Sequence, residues 1–404
     1  MSLPALLSLD DALARLADGA RAFAICDSES ISTFDALGRV LAEEVSSLID
    51  VPPADNTSMD GYALRAADVP AAGVLLPVSQ RIPAGVVGQP LAAGSAARIF
   101  TGAQVPAGAD AVVMQEQCEA VAQGVRVNAV PQAGQWIRQR GEDVQAGAAV
   151  LTRGARLTPQ ALGLAASVGA ATLSVVRRPR VALFSTGDEL AMPGGPLKPG
   201  AIYNSNRYTL RALLQAAGCE VSDLGIVPDN RDATRNALRG AAQRHDLILT
   251  SGGVSVGEED HIRPAVQAEG RVELWQVAIK PGKPLAFGVV GNALFIGLPG
   301  NPVSSYVTFL LMVRAVLRVL QGATAELPQT LNLRADFDWL HPDRRREFLR
   351  VRLNDRSGLD LFPNQSSGVL TSAVWASGLV DNPPGQAIQR GDAVRYWPLA
   401  ELLV

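Results

Sequence analysis

Between Val181 and Thr250 short apolar runs alternate with amphipathic stretches, and that rhythm constrains the fold more than any other feature. Val181-Ala182-Leu183-Phe184 is an apolar run between Pro179 and Gly187. Arg207 to Ala217 reads as an amphipathic helix stopped by Gly218. Val221 to Val227 is strand-like, Arg231 to Arg244 helical, and Asp246 to Thr250 a buried strand. This β-α-β-α-β order predicts a mostly parallel sheet with helices on both faces. Ligands of such sheets sit at the carboxyl ends of the strands. Two loops fall there: Ser185-Thr186-Gly187-Asp188-Glu189, and the segment that follows Thr250.

That second loop opens residues 250–304, where polar chemistry is densest. Ser251-Gly252-Gly253-Val254-Ser255 runs into Glu258-Glu259-Asp260. Lys280-Pro281-Gly282-Lys283-Pro284 and Leu298-Pro299-Gly300-Asn301-Pro302 come later. Glycines let backbone N–H groups converge on an anion, so Ser251, Gly252, Gly253 and Ser255 are candidate ligand contacts. The loop is neither a P-loop nor GxGxxG, and a tight turn without a ligand would also use two glycines. Lys280 and Lys283 flank a stiff Pro-Gly turn and suit phosphate or another tetrahedral oxyanion, or are simply exposed turn lysines. Asp60, Asp143, Asp188-Glu189, Asp229 and Asp260 sit beside Gly, Pro or other acids in expected loops. Mg²⁺ takes a few carboxylate oxygens plus phosphate oxygens, whereas most loop acids are solvated or cap helices. Arg138 and Arg140, ahead of Gly141-Glu142-Asp143, are a second cationic pair.

Composition bounds the function class. At 404 residues the chain is too long for one core, so two to four domains are expected. A net charge of -3 and 5% aromatic residues leave no electrostatic or stacking footprint for nucleic acid. Cys26, Cys118 and Cys219 are widely spaced, which disfavours disulfides and zinc knuckles. Three scattered histidines and no G-x-S-x-G leave a catalytic triad poorly supplied. The apolar stretch Val303 to Leu320 is interrupted by Arg314 and Arg318, so it reads as a core helix, and no signal peptide is visible. A cytoplasmic location follows by elimination.

The flanks differ from the centre. Ser8 followed by Asp10, Asp11, Leu13 and Leu16 predicts a capped amphipathic helix, and a second helix is expected over Thr33 to Ser47. From Val51 to Val150 short runs (Val74–Val78, Ala96–Thr101, Ala111–Gln117, Gly124–Val127) alternate with Gly/Pro turns, as in a small β-rich domain. Thr158-Pro159 opens a helix reaching Val168. Beyond Pro328, alternating runs such as Leu349-Arg350-Val351-Arg352-Leu353 predict a small β-barrel or sandwich.

The residues also resemble a family. Pro52-Pro53-Ala54-Asp55-Asn56-Thr57-Ser58-Met59-Asp60-Gly61-Tyr62-Ala63 is similar to the signature of molybdopterin molybdenumtransferases, the MoeA-type proteins and the gephyrin E domain. The likeness continues through Ile99-Phe100-Thr101-Gly102-Ala103, Arg140-Gly141-Glu142-Asp143, Ser185 to Leu190, Asn204-Ser205-Asn206, Asp229 and the three segments of 250–304. It spans nearly the whole chain in order. The resemblance implies insertion of molybdenum from molybdate into adenylylated molybdopterin, with Mg²⁺ and release of AMP. It implies four domains: a discontinuous helical linking or dimerisation domain (1–46 with 147–178), a β-rich domain (47–146), a three-layer α/β molybdopterin-binding domain (179–327) and a C-terminal β-barrel (328–404). It further implies a homodimer whose active cleft joins the α/β domain of one subunit to the Asp60 domain of the other. The implied partners are the molybdopterin adenylyltransferase and molybdoenzymes or their chaperones, with no nucleic acid and no membrane.

Carried over by position, the resemblance implies catalytic roles for Asp60, Asp143, Glu189, Asp260 and Lys280. Substrate contacts fall on Thr101, Arg138, Lys283, Pro299, Pro302, Arg350 and a serine of 365–367 or 371–372, with Ser367 the candidate. Metal ligands fall on Glu189, Asp229 and Asp260. One departure is Gln276, where the family often has lysine. The alternatives are a molybdopterin adenylyltransferase, which shares the glycine-rich loop but is a single small domain, and a non-catalytic gephyrin-like scaffold.

Overall fold

The computed structural model describes residues 6–253, 261–324 and 328–403. The chain forms two compact units, one of Met1–Glu29, Gly38–Ala42 and Val175–Val404, the other of Ser30–Leu37 and Glu43–Ser174. The four-domain division expected above is finer than this partition.

In the first unit, α1 (Leu9–Arg21) begins at Ser8, whose hydroxyl accepts the Asp11 N–H. Asp10 and Asp11 in its first turn complement the positive end of the helix dipole. The α/β region then follows the expected alternation: β1 (Arg180–Thr186), α2 (Ser205–Ala216), β2 (Glu220–Val227), α3 (Arg231–Ala242), β3 (Leu247–Ser251) and α4 (Ile262–Glu269). Asn204 and Asn230 start α2 and α3 by accepting the N–H groups of Arg207 and Ala233. Three more strands, β4 (Gly270–Gln276), β6 (Pro284–Val290) and β7 (Ala293–Leu298), complete the six-stranded sheet, with the short β5 (Ile279–Lys280) between β4 and β6.

The strand order is β2-β1-β3-β7-β6-β4. Pairing is parallel through β7 and antiparallel at β6 and β4. The mostly parallel expectation therefore holds. Its antiparallel margin comes from the two-residue turn Gly291-Asn292, where Gly291 adopts φ 55° and closes a hairpin between Val290 and Ala293. Both faces of the sheet are buried. Leu247 and Leu249 of β3 belong to the apolar cluster that includes Leu210 and Leu214 of α2, while Ile248 packs with Phe184, Leu238 and Phe295 on the other side. This is why β3 reads as an unbroken apolar run.

After β7 comes α5 (Pro302–Thr308), a π-helical turn at Phe309–Val313, and α6 (Arg314–Leu320). Pro302–Leu320 is long and apolar enough to cross a membrane by length and composition, yet 83% of its most apolar stretch is buried among the core side chains. The unit ends in a closed barrel of β8 (Leu331–Ala335), β9 (Arg346–Leu353), β10 (Gly358–Leu361), β11 (Gly378–Asn382) and β12 (Ala393–Pro398). The order β9-β10-β8-β12-β11 returns to β9, which settles barrel against sandwich, and β5 adds alongside β9 in parallel. Alternate residues fill the interior, among them Leu349, Val351, Leu359, Val380, Val394 and Tyr396.

The second unit is built from short strands, as expected. Val78–Ile82, Ala96–Ile99, Gly61–Leu64 and Ala111–Met114 form one sheet; Val74–Leu76, Gly124–Val127 and Cys118–Val121 form another. The run expected from Val74 to Val78 is divided at Pro77, whose ring removes a ladder donor. The helix Pro159–Ser167 starts at Thr158, which caps the Ala161 N–H. The helix expected over Thr33 to Ser47 is absent. Thr33–Asp35 is a single 3₁₀ turn and Val45–Ser46 a strand paired with Ala149–Leu151. Gly38 lies between them at φ 73°, a left-handed conformation that ends any helix there.

Candidate functional site

The carboxyl ends of β1, β3 and β7 surround a cavity of about 650 Å³. Its wall includes Ser185, Thr186, Gly187, Glu189, Asp229 and Ser251 to Gly253, with Pro284 and Pro299 to Asn301 opposite. Ser185, Thr186 and Asn204 are between 1% and 4% exposed, and Ser185 Oγ, Thr186 Oγ1 and Asn204 Nδ2 have no hydrogen-bond partner among the described residues. A buried polar atom without a partner costs free energy, so three on one wall mark where a polar ligand is accommodated.

Glycine is required in the loop after β3. Gly252 has φ 91°, and a Cβ there would lie 2.9 Å from the Thr186 carbonyl oxygen. Asn206, on the first turn of α2, donates Nδ2–H bonds of 2.7 Å to both Ser251 Oγ and the Gly300 carbonyl. It thus ties the Ser251 loop to the Pro299–Asn301 loop. Sequence reasoning quoted Asn206 within a motif but gave it no role. It also passed over the buried hydroxyls of Ser185 and Thr186, although their place at a strand's carboxyl end was visible.

Glu189 and Asp229, expected as metal ligands, do face this one cavity. Asp260 and Ser255 lie outside the described residues. Among the described residues no three His, Cys, Asp or Glu side chains cluster closely enough to hold a metal. Two carboxylates on one wall fit Mg²⁺, which retains water and takes the rest of its oxygens from phosphate.

The remaining residues expected in the α/β and barrel regions cluster around α5. Pro302 occupies its first turn, and the N–H of Val303 donates to the Ser367 carbonyl at 3.0 Å. Across the barrel wall, Arg350 is 1% exposed. Its Nη1 donates to the Phe348 carbonyl at 3.0 Å and its Nε to Ser372 Oγ at 3.2 Å, while Nη2 reaches the Ser366 carbonyl at 3.4 Å. No carboxylate forms an ion pair with it among the described residues. Burial pushes the guanidinium down to about 10, still cationic at neutral pH. The sequence showed Arg350 on an alternating strand but not that its side chain, on the face opposite the interior Leu349 and Val351, is buried against Ser366 and Ser372.

The two lysines part company. Lys283 is exposed beside Pro284 of the cavity wall. Lys280 extends the other way, with Nζ 3.3 Å from Glu347 Oε1 and 3.4 Å from Asp343 Oδ2. Gly282 between them packs against α5, where a Cβ would meet Thr308 Oγ1 at 2.4 Å.

In the second unit three segments converge. Asn56–Thr57 pairs with Ile137–Arg138, and Thr57 exchanges backbone bonds with Gly102 and Ala103. Asp60 Oδ1 accepts the Thr101 N–H at 2.8 Å and its hydroxyl at 2.7 Å. Those bonds, the N–H first, hold its carboxyl below the usual aspartate range. Gly61 admits no side chain, since a Cβ would fall 1.9 Å from the Val113 carbonyl oxygen. Arg138 and Asp143 are exposed nearby in sequence; the Asp143 N–H donates to the Val51 carbonyl at 3.0 Å.

Comparison with known proteins adds identity to geometry. Three family profiles match in chain order: the MoeA N-terminal region (domains I and II) over residues 7–169, a probable molybdopterin binding domain over 182–319, and the MoeA C-terminal region (domain IV) over 332–399. The chain is 44% identical to a molybdopterin molybdenumtransferase of Haemophilus influenzae over 73% of each chain. It is 37% identical to a molybdopterin molybdenumtransferase 2 of Mycobacterium tuberculosis over 93% of this chain and 96% of the relative. A crystal structure of a molybdopterin biosynthesis MoeA protein from Pyrococcus horikoshii superposes with TM-score 0.83 at 29% identity, covering 97% of this chain and 99% of that one. The single-domain alternative considered above would account for the middle profile alone.

Proposed function

The chain belongs to the molybdopterin molybdenumtransferase family, transferases of molybdenum cofactor biosynthesis, and from that premise we propose how its residues serve the reaction. The substrates are adenylylated molybdopterin and molybdate, and AMP is released. The observation that carries this reading is the cavity of unpartnered Ser185, Thr186 and Asn204 atoms at the strands' carboxyl ends. The backbone N–H of Gly253, with Ser251 beside it, receives the phosphates of the adenylylated pterin, and Pro299 packs against it, while the Gly252 N–H is held by the Leu298 carbonyl. Lys283 stands next to this wall and Lys280 on the far side of the same turn, so one contacts pterin phosphate and the other oxyanion.

Molybdate is a tetrahedral dianion. Arg350 is a buried cation without a carboxylate partner, close to Ser366 and Ser372 and one turn of chain from Ser367. A dianion there neutralises a charge that burial otherwise disfavours. Glu189 and Asp229 hold Mg²⁺, with Asp260 assigned to the same set. Bound Mg²⁺ supplies Lewis-acid polarisation of the pyrophosphate. The cavity orients the adenylylated pterin while Arg350 and the lysines stabilise negative charge at the oxyanion.

Asp60, Thr101, Arg138 and Asp143 serve the same reaction in a homodimer, where they complete the site of a second copy. Asp60 arrives there ionised, because the Thr101 donors favour its charged form. The four-domain division and a cytoplasmic setting belong to the same proposal. The adenylyltransferase supplies the substrate, and molybdoenzymes or their chaperones take the product.

Incubation with adenylylated molybdopterin and Mg²⁺, with and without molybdate, tests the reading. AMP is expected only when molybdate is present, and tungstate in its place measures metal preference. Release at the same rate without oxyanion contradicts it. Accumulation of adenylylated pterin from ATP would instead identify an adenylyltransferase.

A further inference from the structure

We propose that Glu347 is a positioning residue that holds Lys280 in its working place, an inference that rests on the substrate contact assigned to Lys280 above. The two are 67 residues apart in sequence, but the parallel pairing of β5 with β9 sets Lys280 directly opposite Glu347. Glu347 is 1% exposed. Its Oε2 is engaged by Trp339 Nε1–H at 2.8 Å and approached by Asn382 Nδ2 at 3.4 Å. Its Oε1 faces Lys280 Nζ at 3.3 Å.

The second carboxylate near Nζ is of a different kind. Asp343 is already bound through both oxygens to Arg345, at 2.9 and 2.8 Å, and the guanidinium holds its carboxyl well below the usual range. Asp343 therefore has its counter-ion without Lys280. Glu347 has no other hydrogen-bonded cation among the described residues: Trp339 and Asn382 are neutral, and Arg345, which feels its charge, is committed to Asp343. A buried carboxylate keeps its cation close because the uncompensated charge is expensive. The flexible four-carbon stem of Lys280 is thereby confined. An ammonium group has three N–H donors. With two turned to Glu347 and Asp343, the third has a fixed direction in which to meet an anion.

The pair is separable from mere structural support by a double-mutant cycle on the full chain, read as AMP release with molybdate. Glu347→Gln keeps the shape and an oxygen for Trp339 while removing the charge. We expect it to lower kcat by ~10- to 100-fold, with KM for the pterin substrate shifted less, as misplacement of a reacting contact does. Lys280→Ala is expected to lose at least as much, and the double variant no more than Lys280→Ala alone. Melting temperatures are followed for each variant. If Glu347→Gln does not fold, Glu347→Asp keeps the charge with a shorter reach and takes its place in the cycle. A slow Lys280→Ala with Glu347→Gln at the wild-type rate overturns the positioning role while leaving the contact of Lys280 intact. So does a cycle in which the two losses multiply. Lys280→Ala at the wild-type rate overturns the assigned contact and the inference together.

Discussion

The carboxyl edge of the α/β sheet and the barrel of the same unit treat buried polar groups in opposite ways. In the barrel the buried carboxylates are matched, although Trp397 Nε1 has no partner among the described residues. Asp381, 2% exposed, is held by Arg346 at 2.6 and 2.7 Å and by Arg395 at 3.1 Å, and Glu347 is bound by Trp339, Asn382 and Lys280. At the sheet edge Ser185, Thr186 and Asn204 are as deeply buried, and an atom of each has no partner among the described residues. A scaffold satisfies its own polar groups, whereas a binding site leaves some for its ligand. Arg350 is the charged exception that refines this contrast. It belongs to the barrel by position, but without a carboxylate it resembles the sheet edge in chemistry.

Three substitutions would break or sharpen the contrast. The largest effect is expected at Asp381→Ala, which leaves Arg346 deprived of a buried counter-ion and should cost about 3–5 kcal/mol in the barrel's urea unfolding. AMP release by the still-folded protein should not change. A loss of activity at wild-type stability would place Asp381 in the site. Next, Arg350→Met should reduce molybdate-dependent AMP release by ~100-fold, with unfolding unaltered or shifted to higher denaturant, because a desolvated charge is removed. Wild-type turnover in this variant would end the comparison of Arg350 with the sheet edge. The smallest effect is expected at Thr186→Val. Deleting a hydroxyl that has no partner among the described residues should leave stability within about 1 kcal/mol, while weakening the adenylylated pterin roughly 10-fold. Marked destabilisation without loss of affinity would show that the hydroxyl serves the fold.

Much of this architecture was legible because its signals are local. Thr158-Pro159, Gly218 and the alternation from Val181 to Thr250 each act within one element, and the structure follows them. The hairpin at Gly291-Asn292 carried an equally local signal that was passed over. The helix expected from Thr33 to Ser47 fails at Gly38, whose φ of 73° interrupts it. For the site, loop position revealed Glu189, Asp229 and the Gly252-Gly253 turn. What could not be read were relations across long sequence separation. Lys280 meets Glu347 only through the strand register, and Arg350 is buried only because the chain returns at Ser366 and Ser372 to cover it. The likeness of Lys280 and Lys283 in sequence conceals one tethered cation and one exposed one.

A larger cavity, about 740 Å³, lies at the opposite end of the sheet, lined by Arg180, Glu220, Asn236 and Arg244 among others. Size alone would favour it, but Ser185, Thr186 and Asn204 are on the other wall. Amide hydrogen exchange with and without adenylylated molybdopterin decides between the two ends directly. Slowed exchange is expected at residues 185–190, 251–253 and 300–305, with residues 220–224 and 236–245 unchanged. Protection confined to the second pair of segments would contradict the account.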